Sequence, residues 1–128
     1  MNIAVIGAGA IGSLVAAYLV DKGKDAVLIS HPEQIPAIQE NGINIKGVRG
    51  NFKINLEAQP ILSKNVDLVI FAVKTQDVVK AAIENQRYIQ DAIVLTTQNG
   101  VLADSLLSKI IDKNKIKFYI NTLTQFSG

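Results

Sequence analysis

The chain of 128 residues contains no cysteine, no tryptophan and a single histidine, with three tyrosines and four phenylalanines. Without cysteine, neither a disulfide framework nor a thiolate metal site can form, and we predict no metal site. A reducing cytoplasm is the natural location for such a chain, and the lack of cysteine is equally compatible with other compartments. The net charge is only +2, and the basic residues form no stripe interleaved with aromatics. This composition argues against a nucleic-acid partner.

A second absence concerns charge near the amino terminus, where Ile3 to Val20 contains no charged residue. A stretch of this length could be a membrane span or the core of a signal peptide. However, no basic segment precedes it, four of its residues are Gly or Ser, and its apolar positions do not cover all sides of a helix. We therefore predict a strand followed by a helix, and no membrane association.

The most informative feature that is present is a glycine motif of the form Gly-x-Gly-x-x-Gly. It reads Gly7-Ala8-Gly9-Ala10-Ile11-Gly12. The first glycine permits a tight turn, the second lets the backbone approach a pyrophosphate, and the third allows close packing of helix on strand. The free N–H groups and the positive dipole end of the helix would then face the phosphate charge. The motif predicts dinucleotide binding, and the alternative is a glycine-rich turn without a ligand.

The surroundings of the motif predict a βαβ unit. Asn2 to Ile6 has the pattern of a strand, Gly23 ends the following helix, and Asp25 to Ile29 is a second strand. The predicted apolar face of the helix comprises Ile11, Leu14, Val15, Tyr18 and Leu19. Such a unit of about 30 residues is the usual context of the motif in nucleotide-binding domains.

The rest of the chain continues the alternation of strands and helices. We predict a helix from Pro32 to Asn41 and then a small hairpin at a sheet edge, formed by Ile43–Lys46 and Asn51–Leu56. A central strand Val66–Val73 follows, and then a helix capped by Thr75. The last predicted elements are a strand Ala92–Thr96, a helix containing Val101 to Ile111, and a strand Lys117–Leu123. The predicted fold is therefore α/β: a Rossmann-type, doubly wound, mostly parallel sheet with helices on both faces. The whole chain, 1–128, is expected to form one dinucleotide-binding domain.

In such a sheet the ligand lies outside the carboxyl ends of the strands, where Ser30 and His31 follow the second strand. A carboxylate here would accept a hydrogen bond from the ribose 2′-hydroxyl of NAD. A hydroxyl and an imidazole can instead donate hydrogen bonds to the 2′-phosphate of NADP. The sequence thus favours NADP over NAD. Glu33 could turn toward the ribose and reverse this preference. In a competing interpretation, Ser30 caps the next helix and His31 is a solvated loop residue.

Two further strand ends supply polar residues, Lys74 and Asn99. Lys74 follows the most hydrophobic strand, so its ammonium is expected beside phosphate or substrate carboxylate, although a generic surface lysine is the alternative. The side chain of Asn99 can both donate and accept hydrogen bonds, so it could contact a nicotinamide ribose or a substrate oxygen. The alternative, a hairpin turn at Asn99-Gly100, is disfavoured because the following segment has helical periodicity. Lys46 and Arg49 are interpreted as solvated charges. None of these loops offers a convincing acid–base pair, so we assign no catalytic residue.

Together these residues resemble the amino-terminal domain of the ketopantoate reductase (2-dehydropantoate 2-reductase) family. The matching segments are the glycine motif with its flanks, Ala72-Val73-Lys74-Thr75-Gln76-Asp77, and Gln98-Asn99-Gly100-Val101. The resemblance implies that the glycine turn binds the pyrophosphate of NADPH and that Lys74 and Asn99 lie near the nicotinamide and the substrate. The closing segment Thr122 to Gly128 would pass the cofactor, with Ser127 as a candidate contact.

The resemblance also implies an activity, reduction of 2-dehydropantoate to pantoate on the route to pantothenate. The chain departs from the family in two ways: it lacks an Arg near His31, and it has nothing that matches the helical domain carrying the catalytic Lys. Two interpretations follow, namely the cofactor half of a reductase that is inactive alone, or a stand-alone nucleotide-sensing module. A paralogue acting on another 2-oxo acid is a third. The expected partner is a small 2-oxo acid, and exposed apolar surface leaves a homodimer open.

Overall fold

The computed structural model describes residues 1–47, 50–97 and 116–119. Its strands are β1 (Asn2–Ile6), β2 (Asp25–Ile29), β3 (Ile43–Gly47), β4 (Gly50–Ile54), β5 (Glu57–Gln59), β6 (Leu68–Phe71), β7 (Ile93–Thr96) and β8 (Ile116–Tyr119). Its helices are α1 (Ala10–Asp21), α2 (Ile35–Asn41) and α3 (Thr75–Asn85), with 3₁₀ turns at Pro32–Gln34 and Gln86–Tyr88. The predicted bounds of β1 and β2 are confirmed.

Six strands form one sheet in the order β5-β2-β1-β6-β7-β8, and every neighbouring pair is parallel. The chain moves from β1 outward to β2 and β5, then returns to the other side of β1 and continues through β6. The strand order therefore reverses between β1 and β6, which is the switch point where doubly wound sheets bind ligands. The predicted fold class is confirmed.

The sheet is covered on both faces, and the alternation of side chains along β1 shows how. Ala4 and Ile6 point into a core shared with Val78 and Ala82 of α3. Ile3 and Val5 point into a second core, which includes Ala16 of α1 and the partly buried Ile38 of α2. Successive residues of a strand point to opposite faces, so a strand buried on both sides must be apolar throughout, as the sequence of β1 is.

The predicted apolar face of α1 is confirmed in part: Val15 and Leu19 are partly buried against the second core, but two other predicted residues are not. Leu14 and Tyr18 are 43% and 46% exposed, whereas Gly12, Ala16 and Ala17 are buried. The cause is the close approach of the helix to the glycine turn at Gly12, which leaves room only for small side chains one turn further along. Periodicity placed the bulky residues inward, but the packing distance requires small ones.

This correction predicts a contrast in stability. Leu14→Gln should change the free energy of unfolding by less than about 0.5 kcal/mol, because the side chain is largely exposed. Ala16→Leu should lower it by about 1–3 kcal/mol, because the site has no room for three more carbon atoms. Urea denaturation of both variants tests the assignment. A larger loss for Leu14→Gln would restore the face predicted from the sequence.

The segment between α2 and β6 differs from its prediction. The hairpin is present, but β3 and β4 form a separate two-stranded antiparallel sheet in place of the predicted sheet-edge position. The edge of the main sheet is occupied by β5, which the sequence analysis missed. With three residues, Glu-Ala-Gln, it has too few apolar positions to show a pattern.

Helix boundaries agree broadly with the prediction. The turn at Pro32 leads into α2, which ends at Gly42 with a φ of 67°. However, Lys74 and not Thr75 is the N-cap of α3. Within the described residues no helix is long and apolar enough to span a membrane. The helix predicted over Val101 to Ile111 lies outside the described residues, as do Arg49 and everything after Tyr119.

Candidate functional site

A cleft of about 540 Å³ lies at the carboxyl ends of β1, β2 and β6, next to the switch point of the sheet. Its volume is in the range of small-molecule and cofactor sites. Its lining residues come from four places: the glycine turn (Ile6 to Gly9), the end of β2 (Ile29 to Pro32, and Gln34), the loop after β5 (Pro60 and Ile61), and the end of β6 with α3 (Ala72 to Lys74, Gln76, Asp77, Lys80, Ala81, Glu84 and Asn85).

The turn that opens the cleft depends on Gly7. Its φ of +117° is a conformation that side-chain-bearing residues rarely adopt. A Cβ at this position would lie 2.8 Å from the carbonyl of Ala72. The N–H of Gly7 donates to the carbonyl of Ile29 over 2.9 Å, so the turn is tied to the adjacent strand end. Only glycine fits here, as the motif predicts.

Gly12 and Gly9 have opposite surroundings. A Cβ on Gly12 would lie 1.8 Å from the carbonyl oxygen of Gly7, which shows that the third glycine is needed for close packing. A Cβ on Gly9 would meet no described residue within 4 Å. Gly9 is the N-cap of α1 without a side-chain cap, and the first turn of the helix carries no acidic residue. The N-terminus of α1 is therefore open to an anion in the cleft.

The six predicted residues of the motif divide between the cleft and the helix. Gly7, Ala8 and Gly9 line the cleft. Ala10, Ile11 and Gly12 form the first turn of α1 and are not among the lining residues. Their predicted contribution is through the backbone N–H groups of that turn, and it stays a prediction.

Ser30 is buried at the end of β2, and its hydroxyl Oγ has no hydrogen-bond partner among the residues that the structure describes. The interpretation of Ser30 as a helix cap fails, because His31 is the N-cap of the 3₁₀ turn and Gln34 is the N-cap of α2. A buried hydroxyl without a partner is costly, and a ligand that accepts a hydrogen bond would remove that cost.

Beside Ser30, the exposed His31 also lines the cleft. Glu33, which could have reversed the expected cofactor preference, is not among the lining residues. Among the described residues, the carboxylates that line the cleft are Asp77 and Glu84, both on α3. The end of β2 therefore presents a hydroxyl and an imidazole to the cleft without a neighbouring acid.

Lys74 lines the cleft from the end of β6, where the sequence predicts it. It is exposed, and its backbone carbonyl accepts from the N–H of Asp77 over 2.8 Å at the start of α3. Lys80, six residues further along the chain, on α3, is a second cation on the cleft that the sequence analysis did not single out. Asn99, the other predicted polar residue, lies outside the described residues, and so does Ser127.

The wall formed by Pro60, Ile61 and Asn85 was also missed. The loop after β5 lies at the cleft because β5 pairs with β2. Since the sequence pattern of β5 is weak, the position of this loop was not predicted. The apolar tripeptide Pro60-Ile61-Leu62 was the available clue, although only Leu62 of the three is buried.

The reversing parallel sheet, the glycine turn and the cleft at the switch point define this chain as a Rossmann-type α/β domain. Its sequence matches the profile of ketopantoate reductase PanE/ApbA over residues 3–127. The chain belongs to the ketopantoate reductase family, whose members are oxidoreductases. The resemblance noted from the motifs is confirmed.

Individual relatives support the same assignment. A 2-dehydropantoate 2-reductase of Pyrococcus horikoshii is 38% identical over 102 residues, which cover 79% of this chain and 34% of that protein. The 2-dehydropantoate 2-reductase of Pyrococcus abyssi is 32% identical over 102 residues, which again cover 79% of this chain and 34% of that protein. The chain thus spans about a third of the length of these curated relatives.

Solved structures agree in fold. A PanE/ApbA family ketopantoate reductase from Ralstonia eutropha superposes with a TM-score of 0.79 at 28% identity, over 94% of this chain and 40% of that one. A D-mandelate dehydrogenase, solved with NADH and anilino(oxo)acetate, gives a TM-score of 0.84 at 27% identity, over 92% of this chain and 40% of that one. Nicotinamide cofactors are therefore found among its structural neighbours.

Proposed function

We propose that this chain is the NADP(H)-binding domain of a 2-dehydropantoate 2-reductase-like oxidoreductase, inactive by itself and completed by a helical domain. The observation that carries the proposal is the cleft at the switch point, which joins an uncapped helix N-terminus to a buried hydroxyl that has no partner in the described part of the chain. When bound, the reduced nicotinamide supplies a hydride for the carbonyl carbon of a small 2-oxo acid. A cytoplasmic location accompanies this proposal.

The residues of the cleft fit the parts of such a cofactor. The first-turn N–H groups of α1 would bind the diphosphate, and the bare backbone at Gly9 leaves room for it. Ser30 and His31 would donate to the phosphate on the adenosine ribose. Lys74 would lie toward the nicotinamide ribose and the substrate carboxylate, with Asn99 as its predicted partner. The chain binds and orients in this scheme, and contributes no proton donor.

The preference for NADP over NAD rests on the end of β2. A ribose 2′-hydroxyl is usually recognised by a carboxylate at this place, and the residues that line the cleft there include none. The hydroxyl of Ser30 needs an acceptor, and a phosphate oxygen is a stronger acceptor than a ribose hydroxyl.

Titration with both coenzymes tests this preference. We expect the chain to bind NADPH about tenfold more tightly than NADH, which corresponds to one charge-assisted contact. His31→Asp should remove the preference, because it places a carboxylate beside the 2′-phosphate. Asn51→Asp, the same charge change on the exposed strand β4, should leave it intact. Fluorescence of the reduced nicotinamide reports both affinities, and equal binding of the two coenzymes by the unmodified chain would contradict the proposal.

A second candidate is a reductase that uses NADH and acts on another 2-oxo acid. The similarity in fold to the D-mandelate dehydrogenase, which was solved with NADH, favours it. Tighter binding of NADH than of NADPH in the same titration would select this candidate.

A further inference from the structure

The side chain of Ser13, on the first part of α1, is tied to the glycine turn that opens the cleft. Its hydroxyl donates to the carbonyl of Ala8 over 3.0 Å, and its backbone N–H donates to the carbonyl of Gly9 over 2.9 Å. The bond to Gly9 is the first regular hydrogen bond of the helix. The bond to Ala8 reaches one residue further back and depends on the hydroxyl. Both carbonyls therefore point toward Ser13.

The direction of these carbonyls fixes the direction of the neighbouring N–H groups. A trans peptide is planar, so its N–H points opposite to its C=O, and no peptide bond among the described residues is cis. Because the carbonyls of Ala8 and Gly9 are directed at Ser13, the N–H groups of Gly9 and Ala10 point away from the body of the helix, at the end of α1 where Gly9 lines the cleft. The hydroxyl of Ser13 thus adds the N–H of Gly9 to the donors of the helix N-terminus.

Without this bond, the peptide between Ala8 and Gly9 could turn over. Such a flip moves the φ of Gly9 from its present −71° into the positive range, which glycine adopts about as readily as the negative one. The flip would present a carbonyl oxygen, in place of an N–H donor, to the space in front of the helix. An anion there would meet a partial negative charge. The bare glycine that leaves room for an anion therefore also requires a group that fixes the orientation of its peptide.

We propose that Ser13 is a positioning residue, whose hydroxyl holds the Ala8–Gly9 peptide in the orientation that directs the Gly9 N–H at the cofactor diphosphate, an inference that rests on the proposed function. Ser13 is not among the residues that line the cleft, so it acts through the peptide and does not touch the cofactor. If the bond served stability alone, its removal would change the free energy of unfolding and leave the recognition of a diphosphate unchanged.

The test compares ADP with adenosine, which differ only in the diphosphate. Calorimetric titration of both ligands into the same sample gives a ratio of affinities that is independent of the folded fraction. Ser13→Ala should lower this ratio by about three- to tenfold, because one donor to a charged oxygen is lost. Ser13→Thr keeps the hydroxyl and should keep the ratio within about twofold of the wild-type value. The fold should survive in Ser13→Ala, because Ser13 is only partly buried and Ala favours a helix.

Ser63→Ala is the matched control, because it removes an exposed hydroxyl that also donates a hydrogen bond, to Gln59 over 3.2 Å. It should leave the ratio unchanged. The Gly9 amide resonance gives a second readout: ADP should shift it in the wild-type chain and in Ser13→Thr, and by less than about half as much in Ser13→Ala.

The outcomes separate the two proposals. A Ser13→Ala chain that keeps the wild-type ratio would overturn the role of Ser13 and leave the proposed function standing, provided that NADPH still binds. Equal losses in Ser13→Ala and Ser13→Thr would overturn the hydroxyl as the cause. A wild-type chain that binds no NADPH would overturn the proposed function as well.

Discussion

Gly12→Ala is expected to lower the free energy of unfolding by more than about 4 kcal/mol, enough to prevent folding of a domain of this size. The added Cβ would lie 1.8 Å from the carbonyl oxygen of Gly7. The backbone of Gly7 is held in place because its N–H donates to the carbonyl of Ile29. Neither backbone can move without separating α1 from β1. Urea denaturation followed by circular dichroism, or the yield of folded protein, measures the effect.

Gly9→Ala is the matched control for this prediction. The new Cβ meets no atom within 4 Å in the part of the chain that the structure describes, and Gly9 has an ordinary φ of −71°, so the loss of stability should be below about 1 kcal/mol. The methyl group would instead enter the space in front of the helix N-terminus, and NADPH binding should weaken about tenfold. If Gly12→Ala folds as well as Gly9→Ala, the close packing described for the glycine turn is incorrect.

The second large effect is expected at Lys74. Lys74→Ala should weaken NADPH binding between about ten- and a hundredfold, because it removes a cation from the cleft where phosphate charge is expected. The side chain makes no ion pair within the described part of the chain that would tie it elsewhere, so stability should be nearly unchanged. Fluorescence titration with NADPH measures the affinity, and thermal denaturation checks the fold.

Lys46→Ala is the control for charge. Lys46 is exposed on β3, in the separate two-stranded sheet, and its removal changes the net charge of the chain by the same amount. We expect less than about a twofold change in NADPH affinity, and the difference between the two variants should shrink at high salt. If Lys74→Ala and Lys46→Ala lose NADPH affinity equally, Lys74 is a generic surface lysine and does not bind the cofactor.

Local patterns explain most of the agreement between sequence and structure. The glycine motif is a requirement of backbone geometry at Gly7 and Gly12, so its residue types are readable without a structure. The strands β1 and β6 are buried on both faces and are therefore apolar throughout, which makes them visible as short apolar runs. The strand ends at Ser30 and Lys74 followed from the topology, and the structure places both on the cleft.

The sequence-based predictions failed where a contact between residues distant in sequence overrides the local hydrophobic pattern. The strand β5 is defined by its pairing with β2, and the three residues that form it have no apolar alternation. The buried face of α1 is set by the contact of Gly12 with Gly7, which favours Ala16 over the larger Leu14 and Tyr18. Periodicity reports hydrophobicity and carries no information on the distance between helix and sheet.

The sequence alone determined the parallel order that brings the first glycine turn, Ser30 and Lys74 to one edge of the sheet, because buried strands and tight turns constrain residue types directly. Only the tertiary structure decided which residues form the opposite wall of the cleft. Pro60, Ile61 and Asn85 reach it through the pairing of β5 with β2 and through one hydrogen bond, between Leu62 and Asn85, which are 23 positions apart. Such contacts depend on the position of the whole sheet and leave no periodic signal in the chain.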